Sequence, residues 1–370
     1  MITNQHKCFL ELVRAGLWEK DVELLKYGTT DFEEIMRLAE EQSVVGLVTA
    51  GLEHVTDMAV PKVELLQFIG QTLQIEEQNK AMNEFVTRLM DKLRKEEDVC
   101  AILAKGQGVA QCYERPLWRA SGDVDLLLGE KDYNMAKAVL VPIADDVAGE
   151  NRATKHQAYV IKGFDVELHG RMPFGMSRRA DKVIDEVIES SLCSHVNVNL
   201  NDNGEVWVPG ADEHVILVFT HFLHHFFIEG VGLRQICDWC RLLWRYREEL
   251  DLRLLESRIR RMGLMSEWKV FAALATKYLG MPKEAMPLLN ENDNENEKFK
   301  KKANKVLMRV MKSGNFGHNK DLSYRSKYTG MKYRVVAMWR RFTDFASLVP
   351  VFPVDAPRFF FTYVFGKVIQ

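Results

Sequence analysis

The sequence predicts an α+β protein, with a short strand-rich segment set between two long helical regions. Three observations carry this reading. Residues 1–95 repeat apolar side chains at helical intervals. Residues 96–172 change to short apolar runs bounded by glycine and proline. From residue 173 onward the helical period returns.

Taken in order, Leu10, Leu12, Val13, Leu17, Leu24 and Leu25 start the helical pattern. Glu33–Ala50 and Val63–Lys95 continue it, and Val55–Pro61 interrupts it. Val99–Ala104 is a short apolar run suited to a buried strand, followed by the loop Lys105-Gly-Gln-Gly108 and an apolar piece through Tyr113 that Pro116 ends. Gly122–Gly129 reads as a second strand and Lys131–Val147 as a helix. Ala158–Ile161 and Phe164–Leu168 form a hairpin joined by Lys162-Gly163. Arg178–Ser190 is helical and Val206–Val208 extended; Glu213–Glu229, Leu233–Leu250, Leu252–Met262 and Ser266–Leu279 are helices, with Gly230, Gly263 and Gly280 at three of their ends. The first part of Asn290–Asn304 reads as a solvated loop. Tyr333–Val368 is basic and aromatic, interrupted by Pro350, Pro353 and Pro357. A packed C-terminal subdomain is the expectation there, with single-stranded nucleic acid or a membrane surface as rivals. Four segments result: an N-terminal helical region (1–95), the α+β core (96–172), a helical region packing on that core (173–285) and a helical or irregular extension (286–370).

Bulk properties narrow the function. The 370 residues carry a formal net charge of −2, which argues against a globally basic nucleic-acid binder; nucleic acid as a partner is not favoured. Six cysteines scattered through a long chain point to reduced thiols and a cytoplasmic location rather than to a secreted disulfide framework. Cys237-Asp-Trp-Cys240 has redox or zinc spacing, but it sits in a helical pattern without a second pair and reads as structural. Neither a signal-peptide pattern nor an uninterrupted apolar run of about 18 residues is present, so no membrane span is expected.

The chemistry concentrates in Arg119-Ala-Ser-Gly-Asp-Val-Asp125. Side chains alternate along a strand, so Asp123 and Asp125 share one face while Val124 and Leu126 pack on the other. Two carboxylates this close repel unless a cation or proton intervenes, and Mg²⁺ or Mn²⁺ ions are one remedy that suits nucleotidyl transfer. Lys105, Gly106, Arg119 and Ser121 supply groups suited to a triphosphate. Arg119 has a second reading, as the partner of a carboxylate that fixes the loop. On the later hairpin strand Glu167 is the preferred third acid, Asp165 the reserve, and His169 shares their face.

These elements resemble the DNA polymerase beta-like nucleotidyltransferase superfamily. More narrowly they are similar to a bacterial nucleotidyltransferase family with a Lys-Gly loop, a Tyr-x-x-Pro element, an Arg-x-x-x-Asp-x-Asp strand and an acid-Leu-His strand. Here these are Lys105-Gly106, Tyr113–Pro116, Arg119–Asp125 and Glu167-Leu168-His169; Thr220–His225 and Leu233–Asp238 match later segments. The string from Arg119 to Asp125 is also similar to toxin-type nucleotidyltransferases. The resemblance implies a mixed-sheet catalytic core that moves an NMP from an NTP to a hydroxyl acceptor and releases pyrophosphate. Asp123, Asp125 and Glu167 would bind metal; Gly106, Ser121 and Arg119 would hold the triphosphate. The chain departs in having Lys-Gly where the superfamily turn is Gly-Gly or Gly-Ser, and Glu where the third acid is more often Asp. A small molecule, a protein hydroxyl or an RNA end all remain open as acceptors, as does the oligomeric state. A catalytically silent nucleotide-binding or scaffold protein and a toxin-type transferase are the alternatives.

Two smaller expectations concern the later helices. His221 and His225 share a helical face, with His214 two turns earlier, and they read as a helix behind the cleft with His221 a candidate substrate contact. Arg234 and Asp238, four residues apart, read as a local ion pair.

Overall fold

Thr3 starts the first helix by accepting a hydrogen bond from the His6 backbone N–H, the N-cap role its hydroxyl suits. The computed structural model describes residues 2–200, 204–289, 297–320 and 323–366. In it α1 (Asn4–Trp18) packs with α2 (Phe32–Glu41) and α3 (Val45–Leu52), and the long α4 (Lys62–Glu97) follows Pro61. The helix expected over Glu33–Ala50 is two helices. The chain breaks at Ser43, which takes the left-handed conformation at φ 55°.

A five-stranded mixed sheet follows, in the order β1 (Ala101–Leu103), β2 (Val124–Leu128), β5 (Phe164–His169), β4 (His156–Ile161), β3 (Asp146–Val147). Only β2 and β5 run parallel; the other neighbours are antiparallel. The short α5 (Gln107–Ala110) separates β1 from β2, and α6 (Glu130–Leu140) follows β2. Residues 141–147 leave the helix expected there. Pro142 lies in a 3₁₀ turn, and Asp146–Val147 then pairs with β4 as an edge strand.

The two faces of the sheet pack differently. Val124, Leu126 and Leu128 join Val86, Met90 and Leu93 of α4 and Tyr133 and Ala136 of α6 in one core. Ile102 and Leu127 join the larger core built by the later helices. These are α7 (Arg178–Cys193), α8 (Ala211–Ile228), α9 (Leu233–Arg245), α10 (Leu252–Met262) and α11 (Met265–Tyr278). Val206–Val208 lies in β7 (Glu205–Pro209), paired with β6 (His195–Asn199), a strand the sequence reading did not contain. Gly230, Gly263 and Gly280 follow α8, α10 and α11 with positive φ, as their end positions require.

Residues 290–296, the first part of the expected loop, lie outside the described residues, and 297–304 belong to α12 (Glu297–Ser313). The short α13 (Tyr324–Lys327), then α14 (Gly330–Ala346) and α15 (Asp355–Gly366), complete the described chain. Phe345, Phe352 and Phe359 pack into the main core, while Met331, Val335 and Trp339 stay exposed. The C-terminal segment is thus packed along one side only. Among the described residues no helix is long and apolar enough to cross a membrane. Cys237 and Cys240 are buried, unbridged core residues.

Candidate active site

Strand register brings the predicted acids together. Asp125 stands opposite Glu167 across the parallel β2–β5 pair. Alternation turns Asp125 away from the α4–α6 core and into a cleft of about 280 Å³ whose wall also includes Asp123, Glu167 and His221. Asp125 is only 5% exposed, Glu167 is half-buried, and Asp123 lies at the exposed entrance one residue before β2. Asp165 is exposed on β5, away from the cleft wall.

The β1–β2 pairing extends past β1, because the Ala104 N–H donates to the Asp125 carbonyl at 3.0 Å. This delivers Lys105 to the site. Its Nζ stands 2.8 Å from Asp125 Oδ1 and 2.9 Å from His221 Nε2. The lysine expected to meet phosphate therefore holds a carboxylate here. Gly106 follows at φ 60°, ψ −120°, a conformation open essentially to glycine alone, and a β-carbon there would meet the Asp123 carbonyl oxygen at 3.4 Å. Ser121 and Gly122 line the same cleft.

Two imidazoles complete the charge pattern. His169 Nε2 lies 2.9 Å from Asp125 Oδ1 and 3.2 Å from Glu167 Oε2. His156 Nε2 lies 3.2 Å from the same Glu167 oxygen. Burial alone would raise the Asp125 carboxyl, but Lys105 and then His169 outweigh it and hold it low. Hydrogen bonds from His156 and His169 hold Glu167 well below the usual carboxylate range. Asp123 goes the other way, raised by loss of surrounding water and by the charges of Asp125 and Glu167. Burial opposes charge on His169, yet its bonds to Asp125 and Glu167 raise it above its ordinary value. His221 is pushed well below its ordinary value by burial and then by Lys105. It also meets His225 Nε2 at 3.0 Å, and His225 in turn meets Glu229.

The loop before β2 is fixed by a buried network. Arg119 donates from Nε and Nη2 to the two oxygens of Asp238 at 2.8 and 2.7 Å, and the Tyr113 hydroxyl adds a bond of 2.8 Å. Asn79 on α4 donates to the Leu117 and Arg119 carbonyls. Asp238 is thus occupied by Arg119 and Tyr113, not by Arg234 four residues before it. Arg234 donates Nη1 to the Ala120 carbonyl at 2.9 Å, and its buried Nε makes no hydrogen bond among the described residues. Burial, and then the neighbouring Arg119, push the Arg234 guanidinium down to about 10. Among the described residues Arg234 makes no ion pair, and it lines the cleft together with Asp123 and Ser121.

The sequence reading missed two groups, His156 and this role of Arg234. A signal for the first existed. A two-residue turn at Lys162-Gly163 forces 161 opposite 164, and counting back along both strands places His156 opposite His169, the observed pair.

The site thus joins a carboxylate face, a buried unpaired guanidinium and a glycine turn. The model of the uncharacterised nucleotidyltransferase family matches residues 28–280. The chain belongs to that family. It is a nucleotidyltransferase enzyme. The matched span contains all the site residues described above, along with α4, whose Asn79 holds the loop. No curated protein and no solved structure matches the nucleotidyltransferase significantly.

Proposed function

We propose that the enzyme moves an NMP from an NTP to a hydroxyl acceptor in a metal-dependent reaction. The observation that carries this is the convergence of Asp123, Asp125 and Glu167 on one cleft beside Arg234. The acceptor oxygen attacks the α-phosphorus of the NTP, the bond from that phosphorus to the bridging oxygen breaks, and pyrophosphate leaves. The acceptor proton passes to a carboxylate of the cleft or to water.

The residues present fit a divalent cation. Asp123, Asp125 and Glu167 offer hard oxygen donors, and burial together with the charges of Asp125 and Glu167 raises Asp123. His156, Glu167 and His169 place ligand atoms within 4.8 Å of one another, which adds nitrogen donors and favours Mn²⁺ over Mg²⁺ on that side. A bound cation there would neutralise phosphate charge and lower the pKa of the attacking hydroxyl. Arg234, with the Gly106 turn and Ser121, takes the triphosphate. The buried Arg119–Asp238 pair positions the loop that carries Ser121, and Arg119 lines the same cleft.

Calorimetry with ATP and Mg²⁺ or Mn²⁺ tests the assignment. An Asp123→Ala, Asp125→Ala double variant is expected to lose metal-dependent binding, and unchanged binding would overturn the metal face. Labelled NTPs incubated with cell extract should label an acceptor and release pyrophosphate.

A further inference from the structure

The long helix α4 has one face committed to the fold. Phe68, Thr72, Asn79, Met82, Asn83 and Val86 recur at helical spacing and are buried. Asn79 on that face holds the Leu117 and Arg119 carbonyls of the loop before β2, and Glu76 accepts a hydrogen bond from Trp118 Nε1 at 2.9 Å.

The opposite face changes character along its length. From Glu77 onward it is charged: Glu77 pairs with Lys80, and Glu84 with Arg88. Before Glu77 the same face is aliphatic. Val63, Leu66, Ile69 and Leu73 are 67%, 67%, 38% and 52% exposed. A face kept in water along its whole length would stay polar throughout, and contiguous exposed apolar side chains mark an interaction surface.

Gly70 stands in the middle of this stripe. Glycine is among the poorest helix formers, and no positive φ calls for it here. A β-carbon on Gly70 would meet nothing within 4 Å, so none of the described residues needs the space. A glycine facing outward between Leu66, Ile69 and Leu73 lets a second backbone come close.

The charges at the two ends of the stripe indicate whose backbone that is. Consider α4 set antiparallel to itself about a two-fold axis passing between Ile69 and Gly70. Ile69 then falls opposite the partner's Gly70, Leu66 opposite the partner's Leu73, and Lys62 opposite the partner's Glu77, each pair occurring twice. The aliphatic side chains meet one another or the glycine gap, and opposite charges close both ends. Lys62 is exposed at the first position of the helix, and Glu77, also exposed, shares Lys80 with Glu76 and keeps acceptor capacity for a second cation.

We propose that the enzyme forms a homodimer in which Lys62–Glu77 of α4 pairs antiparallel with the same segment of a second copy, through Leu66, Ile69, Gly70 and Leu73. The pairing does not depend on the transfer chemistry, although it lies on the helix that fixes the loop before β2.

Sedimentation velocity of the full chain between about 1 and 100 µM is the direct probe, because a single pair of short helix faces belongs at the weak end of specific interfaces. Wild type should pass from monomer to dimer across that range. Leu66→Glu would bury a charge within the pairing twice and should leave the protein monomeric throughout. Lys62→Glu sets like charges opposite each other and should weaken association at least about tenfold; adding Glu77→Lys should restore it. Gly70→Ala should raise the melting temperature through better helix propensity and weaken the dimer. All four positions are exposed, so far-ultraviolet circular dichroism should stay that of wild type. Wild type that remains monomeric at the top of the range overturns the dimer. A dimer untouched by Leu66→Glu lies on another face and overturns this one. Association that Glu77→Lys fails to restore, or that Gly70→Ala strengthens, overturns the antiparallel register. A monomeric wild type that floats with phosphatidylglycerol vesicles, and no longer does so as Leu66→Glu, gives the stripe to lipid and overturns the dimer as well.

Discussion

In the catalytic cleft the two inner carboxylates each have a hydrogen-bonding partner against them: the Lys105 ammonium on Asp125, the imidazoles of His156 and His169 on Glu167. A neighbouring cleft of about 730 Å³, which shares Phe316 with the first, is lined among the described residues by Arg309, Lys312, Lys320, Arg340 and Arg341 together with Glu229 and Asp344. The difference follows from how each is built. Sheet register fixes side chains opposite one another, so opposite charges can be matched pair by pair. The second cleft is assembled from helix ends and α14, whose single buried residue is Phe345. The same contrast recurs within the catalytic cleft. Arg119 has a buried carboxylate on both arms, while Arg234, nearby, has only a carbonyl among the described residues. A matched cation stabilises; an unmatched one binds.

This contrast is open to attack at several points. The largest effect belongs to the acids themselves. Asp125→Ala should cost about 4 kcal/mol of transition-state stabilisation, a loss of about 10³-fold in kcat/KM by a pyrophosphate-release assay. Arg119→Ala should break a buried pair and lower unfolding free energy by about 3–5 kcal/mol in urea denaturation. Arg234→Ala should leave stability closer to wild type and weaken ATP binding about 10- to 100-fold by calorimetry. Equal stability losses in the two arginine variants would erase the distinction. His156→Ala should narrow the preference for Mn²⁺ over Mg²⁺ by roughly tenfold.

The smallest effect concerns Glu267, buried on α11 beside Asp355 of α15. Burial and then the Asp355 charge raise its carboxyl well above the ordinary 4.5, so the folded state holds the proton more tightly than the unfolded chain. Stability is then greatest below pH 4.5 as far as this group goes, and declines as pH rises from there toward the folded value. Glu267→Gln should flatten that decline in thermal melts taken above pH 5; an unchanged slope would remove Glu267 as its source.

What the sequence disclosed was whatever one element carries by itself. β2 and the β4–β5 hairpin were readable because apolar residues alternate and Lys162-Gly163 marks the turn. The alternation also gave Asp123 and Asp125 one face of their strand and Asp165 and Glu167 one face of theirs, and the β2–β5 register then sets Asp125 opposite Glu167. β6 was not readable, since His195-Val-Asn-Val-Asn199 is largely exposed and lacks a strong apolar side. β3 hid at the end of a helical pattern, with only two residues and no core contact. The Arg234–Asp238 expectation failed because helical spacing is a local rule. Arg119, more than a hundred residues away, reaches Asp238 with both arms and displaces the neighbour.

Lys105 gives the site one more property. Its Nζ and His169 Nε2 both stand against Oδ1 of Asp125, and His169 Nε2 also stands against Oε2 of Glu167. A divalent ion seated on those two oxygens would displace the ammonium and the imidazole, so that its loading would be an ion exchange, sensitive to ionic strength. The lysine released in that exchange would stand ready as a ligand for a second anion.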